Sequence, residues 1–255
     1  MKNKSGIYLG TLVILAVTLI AYVLLTGIFD VLNPLVFPRV SMITSSLINS
    51  MPQLLEGLIS SMGLLIPAYF SAAFIGITLG VVIGLQPTLN KMVKPIIFAL
   101  NPIPPTMLTP YLIVIMPTFY FSSVVLIFIG CFWPFLNGTI NGIVLIEQKY
   151  MEKAKVLELK GFKKLFNVIL PAALPFMLAG AGTALNLAFI LLAIAETFAT
   201  TSGLGFFIQF NADFFNYANV IAGLVFTSAI IIVIMLAFER LKRRLLFWML
   251  SDAQK

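Results

Sequence analysis

The chain has 255 residues, of which 60% are hydrophobic and only 10% are charged, whereas soluble domains average about 45–50% apolar and about 25% charged residues. This composition excludes an ordinary soluble globular protein and predicts an integral membrane protein. The sequence has no histidine and a single cysteine, which excludes histidine-based metal or general-base chemistry and any disulfide within the chain.

Long uncharged runs divide the chain into predicted membrane spans. A helix that crosses about 30 Å of hydrocarbon needs about 20 residues, so the run 96–146 must hold two crossings and each other run holds one. The six predicted spans are residues 7–29, 62–85, 96–117, 124–146, 169–195 and 220–238. The runs lack the alternation of a membrane β-barrel, so the expected fold is all-α and polytopic. The first run has no cleavage pattern after it and is interpreted as a retained span rather than a signal peptide.

The basic residues predict the orientation of these spans. With six alternating spans, every lysine and arginine except Arg39 falls on the side of the two termini. Cytoplasmic loops carry the excess of lysine and arginine, so both termini and the polar segment 147–168 are predicted to be cytoplasmic in a multi-pass protein of the cell membrane. This placement explains the net charge of +7 without nucleic acid as a partner, and the basic tail 240–244 is expected to contact lipid phosphates. The external segment 30–56 is either a contact surface for an external partner or a connector on the headgroups.

The second span carries a small residue at every fourth position. Ala72, Gly76, Gly80 and Gly84 form one stripe of a helix, which lets another helix approach closely. The stripe predicts a packed interface, either within the subunit, which such patterns favour, or between two copies.

Three prolines interrupt the third span. Pro102, Pro104 and Pro105 prevent a continuous helix, because proline lacks a backbone donor and clashes with the preceding turn. Non-helical backbone at membrane depth is tolerated only beside protein or a water-filled cavity. The break is therefore either a pathway element, together with Met107, or a helix end at the cytoplasmic surface. An outer turn is predicted over 119–123.

The fifth span contains the candidate pathway residues Gly182 and Asn186 and ends at Glu196. An ionisable residue at a membrane edge indicates function, so Glu196 either has a structural or gating role or is solvated by external water. Residues 200–219 are expected to form an outer re-entrant or interfacial loop.

The segment 147–168 is rich in lysine and helical in pattern. Residues 151–160 predict a short helix parallel to the membrane, with Ala154 and Leu157 on one side. Gly161 offers a stop, and Pro171 is expected to redirect a second helix into the membrane. The sequence contains no G-x-x-x-x-G-K-[ST] motif for ATP, so any energy from ATP would arrive from a partner.

This segment resembles the signature of the permease subunits of binding-protein-dependent ABC importers, E-A-A-x-x-x-G followed by I-x-L-P. Counted back from Pro171, its glutamate, two alanines and glycine correspond to Glu152, Lys153, Ala154 and Glu158. The glutamate, one alanine and the proline match, whereas the glycine does not. Either Gly161 makes the turn after a longer helix, or the turn is made without glycine. Residues 101–105, 170–175, 195–196 and 202–205 resemble further motifs of the branch that serves nitrate, sulfonates, taurine and thiamine-precursor pyrimidines.

The resemblance implies a type I ABC importer permease fold with a cytoplasmic coupling helix. It implies a homodimer, two ATP-binding cassette ATPase subunits, an external substrate-binding protein and a small-molecule substrate. ATP and Mg²⁺ would be bound by the ATPase, so this chain is expected to hold no cofactor or metal and not to be an enzyme. The residues implied for ATPase coupling are Glu152, Lys153, Ala154, Leu157, Glu158, Gly161 and Pro171. Those assigned to the pathway are Pro102, Pro104, Pro105, Met107, Gly182, Asn186 and Glu196.

Two other functions are compatible with parts of this pattern. A membrane scaffold of a vitamin-uptake, energy-coupling-factor complex would also dock ATPases through cytoplasmic helices. A lipid-modifying membrane enzyme would need polar catalytic groups clustered at one interface, of which this sequence has few. The residues do not specify which solute is transported.

Overall fold

The computed structural model describes residues 4–28 and 32–247, which are mostly helical and contain no strand. Lys2, Phe29, Asp30 and Lys255, which entered the predictions above, lie outside the described residues. The helices are α1 (Lys4–Val23, continued by a π-helical turn, Leu24–Ile28), α2 (Val40–Asn49), α3 (Met51–Leu85), α4 (Pro87–Leu100), α5 (Thr109–Ile115, after a 3₁₀ turn, Pro105–Leu108), α6 (Phe119–Val144), α7 (Gln148–Val156), α8 (Gly161–Lys164), α9 (Leu170–Ala199, after a π-helical turn, Leu165–Ile169), α10 (Leu204–Asp213) and α11 (Tyr217–Leu245).

The all-α membrane fold is confirmed, but the count of six crossings is not confirmed exactly. Within residues 4–28 and 32–247, four helices are long and apolar enough to cross a membrane: α3, α6, the helix Gly161–Phe198 that contains α9, and α11. The bent pair of α4 and Pro105–Ile115 is a fifth where the two are counted as one span. In the first predicted span, the apolar stretch Ala16–Gly27 is shorter than a crossing.

Several helix boundaries differ from the sequence predictions, among them the starts of α3 and α6. α3 begins at Met51 rather than near residue 62, with Pro52 in its first turn, where proline is tolerated. Much of the predicted external segment is therefore helical. The turn predicted over 119–123 is wrong, because α6 begins at Phe119 and the side chain of Thr118 accepts a hydrogen bond from the backbone N–H of Phe121. This cap moves the turn to residues 116–118.

The core of the bundle is formed by α3, α6 and α9, with α6 between the other two. The glycine stripe of α3 faces α6 of the same chain. A Cβ at Gly76 would lie 2.8 Å from the Cβ of Phe135, and one at Gly80 would lie 2.6 Å from the Cβ of Thr139. Gly84 contacts Ile143 in the same manner. The stripe is therefore an interface within the subunit.

A second close approach joins α6 to α9. A Cβ at Gly138 would lie 3.1 Å from the Cα of Gly180, and one at Gly180 would lie 2.5 Å from the carbonyl oxygen of Pro134. Gly180, in the fifth predicted span, therefore lies in the helix contact with α6.

The two halves of the third span meet at an angle of 74°. α4 packs through Val93 and Ile97 against the half of α6 around Ile140, and α5 packs through Leu112 against the half around Leu126. Since the contacts advance along α6 without turning back, the pair forms one broken crossing rather than a re-entrant loop.

The two ends of the bundle carry different elements. The lysine-rich helix α7 lies at the end of the bundle where α3 and α6 finish. At the opposite end, a Cβ at Gly57 of α3 would lie 3.2 Å from the backbone of Gly203, just before α10. Much of the predicted loop 200–219 is helical, as α10, and part of the predicted external segment is helical, as α2. α11 packs on both of these helices.

Candidate functional site

The predicted coupling helix is α7, and it ends in a Schellman motif. The backbone N–H of Leu159 donates to the carbonyl of Ala154 at 2.9 Å, and that of Glu158 donates to the carbonyl of Lys155 at 3.0 Å. Glu158 follows the helix in the left-handed conformation, with φ 49°. The position at which the signature has glycine is thus the position at which the chain needs a positive φ. The turn is made there, without glycine, and the longer helix that would turn at Gly161 does not form.

This conformation has a cost at Glu158. The left-handed region is unfavourable by roughly 1–2 kcal/mol for a residue with a Cβ. Gly161 also has a positive φ, 53°, but glycine adopts it without that penalty. The chain therefore changes direction between these two residues, and α8 starts at Gly161.

The predicted redirection at Pro171 is wrong. The helix continues from Gly161 to Phe198 without a bend above 40°. The π-helical turn Leu165–Ile169 immediately precedes the proline, and the backbone N–H of Leu170 bonds to the carbonyl of Leu165. Such a widened turn relieves the clash between a proline ring and the preceding turn.

α7 is seated on the start of the long helix that follows it. Ala154 is 0% exposed, and Met151 packs, as does Leu165, against the apolar cluster that contains Ile169. Leu157 is 67% exposed, so the prediction that Ala154 and Leu157 share a side is wrong. The reason is that α7 ends at Val156, before Leu157. Ala154 therefore holds α7 on its own chain rather than facing a partner.

The exposed surface of this segment is apolar at its tip and basic around it. Val156 is 83% exposed, and with Leu157 it forms what we call the apolar tip. Phe162 and Phe166 are also exposed, with ring centroids 6.5 Å apart. Glu152 accepts a hydrogen bond from the side chain of Gln148 at 2.9 Å. The lysines of the segment are Lys149, Lys153, Lys155, Lys160, Lys163 and Lys164.

The proline break lies inside the bundle and not at its end. A Cβ at Gly130, about midway along the 26 residues of α6, would lie 3.5 Å from the Cγ of Pro105. The break and α9 line a cavity of about 180 Å³. Its walls include Pro102, Pro104, Pro105, Trp133, Leu187 and Ile190. The structure thus favours the interpretation that the proline break is an element beside a cavity rather than a helix end at the cytoplasmic surface. Met107 is exposed and does not line this cavity.

One face of α9 is left uncovered by the rest of the described chain. Its exposed residues recur at helical spacing and are Phe176, Ala179, Thr183, Asn186, Ile190 and Ala193. Thr183 donates to the carbonyl of Ala179 at 3.2 Å. Gly182 lies beside this face but is directed at α11, since a Cβ there would lie 3.2 Å from the ring of Phe238.

Glu196 is buried, with 1% of its surface exposed, so the alternative that external water solvates it is wrong. Its carboxylate accepts hydrogen bonds from the hydroxyl of Ser61 and, at 2.6 Å, from the backbone N–H of Gly205. The Ser61 hydroxyl in turn accepts from the backbone N–H of Leu204 at 3.0 Å. A Cβ at Gly203 would overlap the carboxylate. Glu196 therefore joins α9, α3 and the start of α10 and does not lie on the uncovered face of α9.

Sequence reasoning missed Ser61. The available signal was a pair of hydroxyl residues, Ser60 and Ser61, near the start of a long apolar run. The opposite end also holds a cavity of about 490 Å³, whose walls combine polar and aromatic groups. They include Gln53, Glu56, Ser202, Phe206, Asn211 and Asn219.

Comparison with known proteins gives a consistent result. Residues 76–249 match the family described as "Binding-protein-dependent transport system inner membrane component". The chain is 31% identical over 193 residues to the taurine transport system permease protein TauC of Escherichia coli, an alignment that covers 76% of this chain and 70% of that protein. It is 34% identical over 151 residues to the bicarbonate transport system permease protein CmpB of Synechocystis, covering 59% of this chain and 54% of that one. The nitrate import permease protein NrtB of Synechococcus elongatus is 32% identical over 140 residues, with coverages of 55% and 50%.

The fold has a relative among solved structures. An inward-facing structure of the MetNI methionine ABC transporter superposes with a TM-score of 0.64 at 19% identity. The superposition covers 77% of this chain and 98% of that one. At this identity the likeness shows the shared fold.

Proposed function

The chain belongs to the family of binding-protein-dependent transport system inner membrane components and is a permease subunit of an ABC importer. From this premise, we propose which segments of the chain dock the ATPase subunit and which line the solute pathway. The segment α7 to α8 docks the ATPase subunit. The break between α4 and α5 and the uncovered face of α9 form this chain's share of the solute pathway. ATP hydrolysis belongs to the partner.

The observation that carries the docking assignment is the apolar tip. Exposed apolar side chains gain free energy when a partner removes them from water, and an apolar helix end fits a groove on another protein. α7 has nine residues, too few for a stable isolated helix. Its seat on α9 through Ala154 and its Schellman motif therefore hold the tip in one orientation. A force on the tip is passed to α9, which runs as one helix through the bundle.

The uncovered face of α9 supports the pathway assignment and a second copy of the chain. A side-chain amide such as that of Asn186 costs free energy when it is placed in hydrocarbon without a hydrogen-bond partner. Water in a pathway or the surface of another subunit satisfies it. In a dimer whose two α9 helices face each other, this face would meet water, and the cavity at the proline break would open beside it.

The solute class that we propose follows from what the relatives are named for transporting. Those relatives are permease proteins for taurine, bicarbonate and nitrate, which are small molecules that carry an anionic group. The cavity at the break has no lysine or arginine in its lining. Such a pathway holds an anion only weakly, through hydroxyl, amide and backbone groups, which suits rapid release. Selection of the solute would then fall to an external binding protein.

The docking assignment is tested by replacing one exposed leucine. The chain is co-expressed with its ATPase subunit, and their affinity is measured after the permease is placed in nanodiscs. Leu157→Ser is expected to weaken association at least tenfold, because it removes apolar surface from the docked tip. Ile48→Ser, which changes a residue of similar exposure, 66%, in α2 at the opposite end, should leave the affinity within twofold of wild type.

Unchanged affinity for Leu157→Ser would contradict docking through α7. An equal loss for both variants would indicate a general defect of the protein and would also contradict the assignment.

A further inference from the structure

Glu158 is placed unfavourably in two respects. It has a Cβ in the left-handed conformation, which a glycine adopts without penalty. Its carboxylate also follows the C-terminus of α7, where the helix dipole disfavours negative charge. A glycine at this position would make the same turn without either disadvantage.

The other two acidic residues of the segment have contacts within the chain. Glu147 forms an ion pair with Lys149 at 2.6 Å, and Glu152 accepts a hydrogen bond from Gln148. Within residues 4–28 and 32–247, the exposed side chain of Glu158 makes neither kind of contact. Its backbone is held by the two hydrogen bonds of the Schellman motif, so the Glu158 side chain leaves the backbone at a fixed point beside the apolar tip.

We infer that Glu158 is a specificity-determining contact for the ATPase subunit and pairs with a lysine or arginine on the surface that receives the apolar tip. This inference rests on the docking function proposed above. The apolar tip would supply affinity that many ATPases of this class could satisfy. The carboxylate would select the ATPase that offers a cation at one place, because an unpaired charge at a closed interface is penalised.

The test separates the charge of Glu158 from the strain of its backbone. Glu158→Gln keeps the size and the left-handed strain but removes the charge, whereas Glu158→Gly removes both. Affinity for the purified cognate ATPase is measured in nanodiscs at about 50 mM and about 300 mM salt, since exposed charge pairs weaken as salt screens them. Both variants are expected to bind about five- to tenfold more weakly than wild type at low salt, and the difference should shrink at high salt. Glu158→Lys should lose more affinity than either.

Glu239→Gln is the matched control. This carboxylate lies at the end of α11, is exposed, and pairs with Lys242 at 3.0 Å; its neutralisation should change the affinity less than twofold. Equal or tighter binding by Glu158→Gly would overturn the inference, as would a loss that does not depend on salt. If Leu157→Ser weakens binding while the Glu158 variants do not, only this inference fails. If neither position matters, the docking assignment fails with it.

Discussion

The carboxylate of Glu196 shows what a single residue does in this bundle. Ser61 and Gly205 both donate to it, and Ser61 also accepts from the start of α10. Buried polar groups of this kind are costly when one partner is removed, because the remaining groups lose their hydrogen bonds without regaining water. Three elements that are distant in sequence therefore depend on one hydroxyl.

Replacing that hydroxyl should destabilise the protein. Ser61→Ala leaves the Glu196 carboxylate and the Leu204 N–H each short of one hydrogen bond, so we expect a loss of about 1–3 kcal/mol, measured as a lower melting temperature in detergent.

The neighbouring serine is the control for this change. Ser60 bonds to the hydroxyl of Ser202 in an exposed setting, so Ser60→Ala should change the stability by about 0.5 kcal/mol or less. Equal effects at the two serines would rule out a special role for the buried cluster.

At the scale of elements, the distance between α3 and α6 is set by glycines. Gly80→Ala would bring a methyl group to 2.6 Å from the Cβ of Thr139, which forces the helices apart. Overpacking of this kind costs about 1–3 kcal/mol, and the melting temperature should fall accordingly.

The same helix contains a suitable comparison. A Cβ at Gly63 meets nothing within 4 Å, so Gly63→Ala should be neutral or slightly stabilising, because alanine is the better helix former. If Gly80→Ala were as stable as Gly63→Ala, close packing along the stripe would not limit the bundle.

At the scale of the whole molecule, the function proposed here requires water beside α9. Asn186→Cys, in a background with Cys131→Ala, should react with a charged, membrane-impermeant thiol reagent applied to membrane vesicles, because its face of α9 borders the pathway. Labelling is read by mass spectrometry, and ATP together with the partner subunits should change its rate, since the two states expose the pathway to different sides.

An exposed apolar position that we expect to face lipid provides the reference. Phe74 is exposed on α3 among apolar neighbours, and Phe74→Cys should remain unlabelled because the reagent does not enter hydrocarbon. Asn186→Cys that reacts no faster than Phe74→Cys would remove the uncovered face of α9 from the pathway.

The sequence by itself determined the class of fold and the family. Uncharged runs of about 20 residues specify membrane helices because backbone groups in lipid must bond within a helix. The small-residue stripe of α3 also indicated a close helix contact, since only small side chains allow one. These features depend on composition and local spacing, which are fully present in a single chain.

The tertiary structure decided what depends on residues that are distant in sequence. Burial of Glu196 required α3 and α10 to meet at the end of α9, and the position of the proline break was fixed by Gly130 of α6. Local spacing also could not reveal that α7 ends at Val156, because the left-handed backbone at Glu158 is a conformation that a glutamate side chain does not favour. The end of α7 and the exposure of its tip are therefore properties of the folded chain rather than of the motif.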